Sequence, residues 1–248
     1  MSRVISWFSC GAASAVASKL AIKEHGLVEV IYQETYSEHP DNERFLRDCE
    51  EWFGQDIKRL SSKKYHDIWD VFEKTRYLSG VYGARCTGEL KRKVAEDYIQ
   101  HGIDLEIFGY TADEPKRIKD FIKNNPERRG QYILMERGLT KEDCLGMLNR
   151  AGIEIPAMYR LGYTNNNCIG CVKGQMGYWN KIRVDFPDVF DRMAKLERKF
   201  DAAICKSYAG DGERKRVFLD ELDPEAGNHI DEPRISCGIM CEIESQDL

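Results

Sequence analysis

Nothing in this 248-residue chain approaches the roughly 18 consecutive apolar residues that a membrane span requires. Its start, Met1-Ser2-Arg3-Val4-Ile5-Ser6-Trp7-Phe8, turns polar too soon for a secretory leader, so a cytoplasmic protein with no membrane partner is expected. Histidine is scarce: the five present show no HExxH or paired spacing, which excludes a zincin-type site. No Ser-His-Asp order and no kinase signature is visible, and neither a GxxxxGK[ST] loop nor a GxGxxG turn occurs. No charge of one sign dominates. With 37 Lys and Arg against 42 Asp and Glu, the net charge of -5 offers no whole-molecule attraction to nucleic acid, though a local basic patch remains open. Hydrophobic residues at 42% describe a globular chain rather than a disordered one. What is plentiful is cysteine. Nine of them, an odd number without a secretion signal, argue against a disulfide scaffold and for metal or redox chemistry.

Strand and helix signals alternate through the first half. Arg3 to Phe8 reads as a buried strand running into a turn at Ser9-Cys10-Gly11. Ala12 to His25 carries apolar residues at helical spacing and stops before Gly26. Val28–Tyr32, Ile57–Leu60 and Leu105–Gly109 read as further strands, with helices expected over Asn42–Phe53 and Gly88–Gln100. Strands separated by helices of this length imply a parallel sheet. The second half is less regular. Thr140 reads as an N-cap for a helix to about Ala151; a loop rich in Asn and Gly spans Gly162 to Gly174; another helix starts near Pro187. The charge-rich stretch Gly210–Asn228 reads as a mobile excursion. The expected organisation is a nucleotide-binding α/β domain over 1–135 with a cysteine-bearing, mostly helical region, 136–248, packed on it.

Ser9-Cys10-Gly11-Ala12-Ala13-Ser14 has the makings of an anion cradle. Small residues after a buried strand let the backbone turn tightly, and the helix that follows adds its positive end. Ser9 and Ser14 can donate hydroxyls; alternatively Gly11, Ala12 and Ala13 serve only close helix–sheet packing. A thiol at Cys10, beside a helix N-terminus, is expected to have a lowered pKa and is a candidate nucleophile.

This segment resembles a degenerate SGGxDS loop of the PP-loop (adenine nucleotide α-hydrolase-like) superfamily, and within it the phosphoadenosine-phosphosulfate (PAPS) reductase family, including phage-borne members. Cys10 stands where that loop usually has Gly. Ala13 stands where the ATP pyrophosphatases have Asp, which argues against metal-assisted ATP cleavage. Glu34-Thr35-Tyr36-Ser37-Glu38-His39-Pro40 is similar to the family's strand-end segment beside the nucleotide. Arg85-Cys86-Thr87-Gly88-Glu89-Leu90-Lys91 resembles its "Cys, then Leu-Lys" element. Gly109-Tyr110-Thr111-Ala112-Asp113-Glu114-Pro115-Lys116-Arg117 resembles its G-x-x-x-x-E-x-x-R turn. All lie at the carboxyl ends of expected strands, the edge where open parallel sheets bind ligands. The resemblance implies a Rossmann-like PP-loop fold and an adenine nucleotide, ATP or one such as PAPS, bound by Ser9, Gly11, Ala12, Ser14, Glu34, Thr35, Gly109 and Glu114. Lys91 and Arg117 are the cations expected against phosphate or sulfate oxygens.

Cys168-Ile169-Gly170-Cys171 is the sharpest chemical signal, for two thiolates three positions apart can turn onto one metal. Cys237-Gly238-Ile239-Met240-Cys241 is a looser second pair, and Cys86 a third locus. Four thiolates suit tetrahedral zinc or a [4Fe–4S] cluster, and spacing does not separate them; a redox-active dithiol at Cys168/Cys171 is the third reading. The resemblance favours a [4Fe–4S] cluster, zinc being the alternative, held by Cys86, Cys168 and Cys171 with Cys237 or Cys241, or by three protein ligands with one iron left open. Cys49, Cys144 and Cys205 read as small core residues. Tyr178 and Trp179 are expected to pack the CxxC loop, and the histidines other than His39 to lie on the surface. A basic patch at Lys116, Arg117, Lys119, Lys123, Arg128 and Arg129 would suit a nucleic acid, against the simpler reading of a solvated helix face.

The expected function is therefore a sulfonucleotide reductase-like, iron–sulfur-dependent enzyme. The alternatives are an ATP-dependent sulfurtransferase acting on DNA or tRNA, and a non-catalytic nucleotide-binding module with structural zinc. A thioredoxin-type electron donor or a sulfur donor, a nucleic-acid acceptor and a homo-oligomer complete the expected partners.

Overall fold

The computed structural model describes residues 2–80, 83–208, 214–233 and 235. Strand β1 (Val4–Phe8) leads into helix α1 (Ala12–His25), followed by β2 (Glu29–Glu34), α2 (Asn42–Phe53), β3 (Lys58–Ser61) and α3 (Ile68–Thr75). A helical stretch over 85–96 then leads to β4 (Leu105–Ile107), α4 (Pro115–Asn124) and β5 (Arg129–Gln131). The five strands form one all-parallel sheet in the order β3-β2-β1-β4-β5, consistent with a Rossmann-like α/β fold. The chain reverses its direction of travel across the sheet between β1 and β4. A crevice opens at the carboxyl ends of the strands at such a point.

Alternation along β1 explains why helices cover both faces. Phe8 packs with α1 and α2, and Ser6 Oγ lies 2.9 Å from Ser18 Oγ of α1. Ile5 and Trp7 face the other way, into a cluster with Ala95, Phe108 and Phe121. On that second face Glu106 of β4 is buried, accepting from Trp7 Nε1 at 2.7 Å and from the buried Arg128 guanidinium. Arg128 is thereby withdrawn from the basic patch expected of it.

Local signals placed α1 and α2 well, and Gly54 closes α2 in the left-handed conformation. The helix expected over Gly88–Gln100 instead begins at Arg85 and ends at Glu96. It carries a π-helical turn, Gly88–Arg92. Residues from both sides of position 135 share hydrophobic clusters, as packing of one region on the other requires. Cys144 and Leu148 of α5 (Lys141–Arg150) join the cluster of α1, while Trp69 and Phe72 of α3 pack with the C-terminal region.

Two C-terminal features escaped local reading. Helix α6 (Met176–Asp185) precedes the expected helix, α7 (Pro187–Phe200), and its start carries no neighbouring cap signal. Glu232 supplies the cap instead, accepting from Gly177 N–H at 2.5 Å and Tyr178 N–H at 2.9 Å. The mobile excursion expected over Gly210–Asn228 is corrected within the described residues. There Arg214–Val217 pairs antiparallel with Cys205–Tyr208, and Leu219 and Leu222 are buried. The buried Glu197 carboxylate of α7 holds this module by accepting from Ile204 N–H at 2.5 Å and Leu219 N–H at 2.6 Å.

Two outcomes follow from these contacts. A Cβ at Gly109 would stand 2.7 Å from Ser14 Cα and 2.8 Å from Ser14 N, backbone that cannot swing aside. Gly109→Ala is therefore expected to lose about 1–3 kcal/mol in urea unfolding by overpacking. Burial raises the Glu197 carboxyl to about 7 against an ordinary 4.5, with the two N–H groups opposing. A folded pKa above the unfolded value means stability is full below about pH 4.5 and falls as pH rises towards 7. The loss is on the order of 3 kcal/mol from a shift of this size. In Glu197→Gln, chemical unfolding across that window should lose most of this slope.

Candidate functional site

Strand β1 ends at Phe8, and the chain turns through Ser9, Cys10 and Gly11 into α1. Cys10 takes a left-handed conformation, φ 56°, which the small side chains on either side accommodate. Ser14 organises the turn. Its Oγ accepts from Ser9 N–H and Ser9 Oγ, both at 3.1 Å, and donates to Gly11 O at 3.0 Å. Ser14 is thus engaged within the loop, while Ser9 is exposed. Gly109 lies directly beneath, so β4 and the first turn of α1 meet at the crevice.

Cys10 does not match the nucleophile expected. Its thiol is fully buried, donates to Asn42 O at 3.8 Å, and is pushed well up in pKa by burial, with the charges of Glu38 and Glu34 adding to the shift. The helix N-terminus does not offset that desolvation. Cys49, Cys144 and Cys205 are buried as expected, and burial pushes Cys144 and Cys205 up to about 12.

The second strand end carries the thiol chemistry. Thr35 is buried at the end of β2 and its hydroxyl donates to the Glu38 carboxylate. Cys168 Sγ lies 3.3 Å from Thr35 Oγ1 and 3.7 Å from Glu38 Oε1. Lys91, from the π-helical turn, brings its ammonium to 3.6 Å from the same Glu38 oxygen. Gln33 Nε2 donates to Lys91 O at 2.7 Å, tying that turn to β2. A thiol, a hydroxyl, a carboxylate and an ammonium therefore share one buried spot at the sheet edge. Glu34, one residue before Thr35, has its carboxyl raised by burial and by the neighbouring Glu38 charge, and Arg59 at 3.4 Å opposes both.

The CxxC loop is joined to the β1 loop directly. Asn166 Nδ2 donates to Cys10 O at 2.6 Å and to Asn42 Oδ1 at 2.7 Å. Tyr178 packs the loop as expected, its hydroxyl accepting from Gly170 N–H at 3.1 Å and Cys171 N–H at 2.9 Å. Gly170 holds φ 77° with Trp179 beside it, so only glycine suits that turn. Tyr178 and the CxxC loop leave His229 half-buried against Tyr163 and Tyr178, contrary to its expected surface position.

Beyond β4, Glu114 accepts from Thr111 N–H at 3.1 Å and from Thr111 Oγ1 at 3.2 Å. It also pairs with Arg117 Nη1 at 2.5 Å. The Arg117 guanidinium stacks 4.3 Å from the Tyr110 ring centre. Glu114 thus positions Arg117 at the turn flanking the crevice rather than facing it as an independent ligand.

Cys86, Cys168 and Cys171 lie in one buried cluster with Ile235. Asn165 and Asn167 both donate to Ile235 O, at 2.8 and 3.0 Å, so the chain passes over the CxxC loop just before Cys237. Cys237 and Cys241 themselves lie outside the described residues. Among the described residues no three His, Cys, Asp or Glu side chains stand together as a metal-binding group. These residues alone do not fit a four-ligand zinc or cluster site.

Sequence reading passed over the linking residues. Glu38 lies inside the strand-end segment with no role of its own, Asn166 reads only as loop-forming, Lys141 only as part of a helix start, and nothing in the sequence marks Tyr159. Lys141 Nζ donates to Asn165 Oδ1 at 2.8 Å and lies 5.2 Å from the Tyr159 ring centre.

The buried thiols give a direct check. Near pH 8, close to the ordinary thiol pKa, Cys10, Cys49, Cys144 and Cys205 should resist iodoacetamide in native protein and react once it is denatured, as read by peptide mass mapping. Rapid native labelling of Cys10 would restore it as a nucleophile.

No protein-family model matches this chain, and no curated protein matches it significantly.

Proposed function

We propose that this chain is an adenine-nucleotide-dependent enzyme of sulfur chemistry, of the kind found in the sulfonucleotide reductases that its motifs resemble. One observation carries the reading. The Cys168 thiol is held against Thr35 and Glu38, with Lys91 on the same carboxylate, and Asn166 ties that loop to the Ser9–Ser14 turn. A carboxylate within reach of a thiol can take its proton, and a nearby ammonium lowers the cost of the thiolate charge. In this reading the Ser9–Ser14 turn and Arg117 hold the phosphate end of the nucleotide. Cys168 meets the sulfur-bearing group, and Lys91 and Glu38 stabilise charge and move the proton at Sγ.

Iron, acid-labile sulfide and zinc contents of anaerobically purified protein decide whether Cys86, Cys168 and Cys171 with Cys237 or Cys241 hold a cluster, structural zinc or neither.

A sulfurtransferase acting on a nucleic acid is the second reading. Lys116, Lys119 and Lys123 are exposed along α4, which begins directly after the crevice turn. Salt-dependent binding of tRNA or DNA would favour it.

Calorimetric titration with ATP, adenosine phosphosulfate and PAPS tests the reading, and no binding of any of them at about 1 mM, an affinity near -4 kcal/mol, would overturn it. Where turnover is found, Glu38→Gln should lower it about 100-fold, within the range for loss of a proton-transfer group. Cys168→Ser should abolish it, whereas Cys144→Ser should leave it near wild type.

A further inference from the structure

Tyr36 holds a backbone conformation that its side chain does not suit. It follows β2 in the left-handed region, φ 52°, where a bulky residue is an outlier and glycine would sit without strain. The chain on either side of it is fixed. Thr35 and Ser37 are both buried; Ser37 O accepts from Ile169 N–H of the CxxC loop at 2.9 Å, and Ser37 Oγ accepts from Ile68 N–H of α3 at 3.2 Å. Between these two residues the Tyr36 ring is 54% exposed and stacks on the exposed His66, ring centres 4.6 Å and planes 18° apart. A ring so exposed contributes little to the core, so the strain beneath it points to a role outside the fold. We propose that the Tyr36–His66 pair is a stacking platform for a nucleobase, a binding site separate from the Ser9–Ser14 turn.

Charge and position agree with this assignment. Two nearly parallel rings present a flat π-surface, and every base has a face to lay on it. Lys63 and Lys64 are exposed in the same loop as His66, and neither pairs with a carboxylate among the described residues. Rings with uncompensated cations beside them match a ligand that carries both a base and phosphate. An apolar ligand would have no use for the cations, and inorganic phosphate none for the rings. In the sheet order β3-β2-β1-β4-β5 the two rings follow β3 and β2, whereas the Ser9–Ser14 turn and the Arg117 turn follow β1 and β4. Thr35, next to Tyr36, is the residue whose hydroxyl oxygen lies 3.3 Å from Cys168 Sγ. A base on the platform therefore brings its own sugar and phosphate towards the thiol from the β2–β3 side. A mononucleotide and an unpaired base of a single-stranded nucleic acid share this chemistry.

The platform goes beyond the nucleotide site proposed above, and it stands whether or not the Ser9–Ser14 turn takes a phosphate, because its signature is the difference that a base makes. Two ligand pairs read that difference: AMP against ribose 5-phosphate by calorimetry, and a single DNA strand of about eight nucleotides against an abasic strand of the same length by fluorescence anisotropy. Wild type should bind the base-bearing member more tightly in at least one pair. Tyr36→Gly, which suits the backbone, should weaken that binding about five- to a hundredfold, the range for one base stacked on an aromatic ring. The same variant should leave the base-free member unchanged. Tyr36→Phe keeps the ring and should stay within about twofold of wild type. A loss in the AMP pair names a free nucleotide as the ligand; a loss in the strand pair alone names a single-stranded nucleic acid. Wild-type protein that shows no preference for a base in either pair overturns the platform. So does a Tyr36→Gly protein that keeps the preference, or one that loses the base-free ligand to the same extent.

Discussion

The side-chain amide of Asn166 holds together two parts of the chain that are more than 120 residues apart. It donates to the carbonyl of Cys10 in the turn after β1 and to the side chain of Asn42 at the start of α2. Both contacts are buried, so each is expensive to break without replacement. The CxxC loop follows two residues later. The same region brings Cys168 against Thr35 and Glu38 and Tyr159 against Gly11. The Asn166 amide links the CxxC loop to the turn after β1.

The sheet supplies the rigid half of this arrangement. Parallel strands place β2, β1 and β4 side by side, and the strand order reverses between β1 and β4, the point at which open parallel sheets bind ligands. Gly109 lets β4 pass directly under the first turn of α1. The C-terminal region supplies the other half through long-range polar anchors: Glu232 on the start of α6, Glu197 on the strand pair, and Asn165 with Asn167 on Ile235. These side chains, Glu197 buried and the others partly so, satisfy backbone groups far away in sequence.

The π-helical turn at Gly88–Arg92 shows how local irregularity serves the site. An unbroken α-helix over 85–96 would put Lys91 and Glu89 on different bearings. Here Lys91 reaches Glu38, while the buried Glu89 is shared by Arg85 at 2.8 Å and Lys93 at 2.7 Å. Such bulges concentrate where a side chain must be re-aimed.

Much of the α/β core was determined by the sequence alone. Helical spacing and a following glycine mark the ends of α1 and α2, and β-branched runs mark β1 and β2, because those signals act within a few residues of where they stand. Candidate residues could be named from the sequence wherever type and position agreed: Ser9, Ser14, Lys91, Arg117, Cys168. Their partners were not. Nothing around Glu38 announces that Cys168 and Lys91 will share its carboxylate, nothing around Cys10 announces burial deep enough to reverse the effect of a helix end on its thiol, and nothing around Tyr159 announces that its hydroxyl will rest in the turn at Gly11. α6 was missed because its cap comes from Glu232. These are contacts between residues far apart along the chain. Only the tertiary structure decides them, because a side chain's protonation and bonding depend on what the fold brings within a few ångströms, and periodicity carries no record of that.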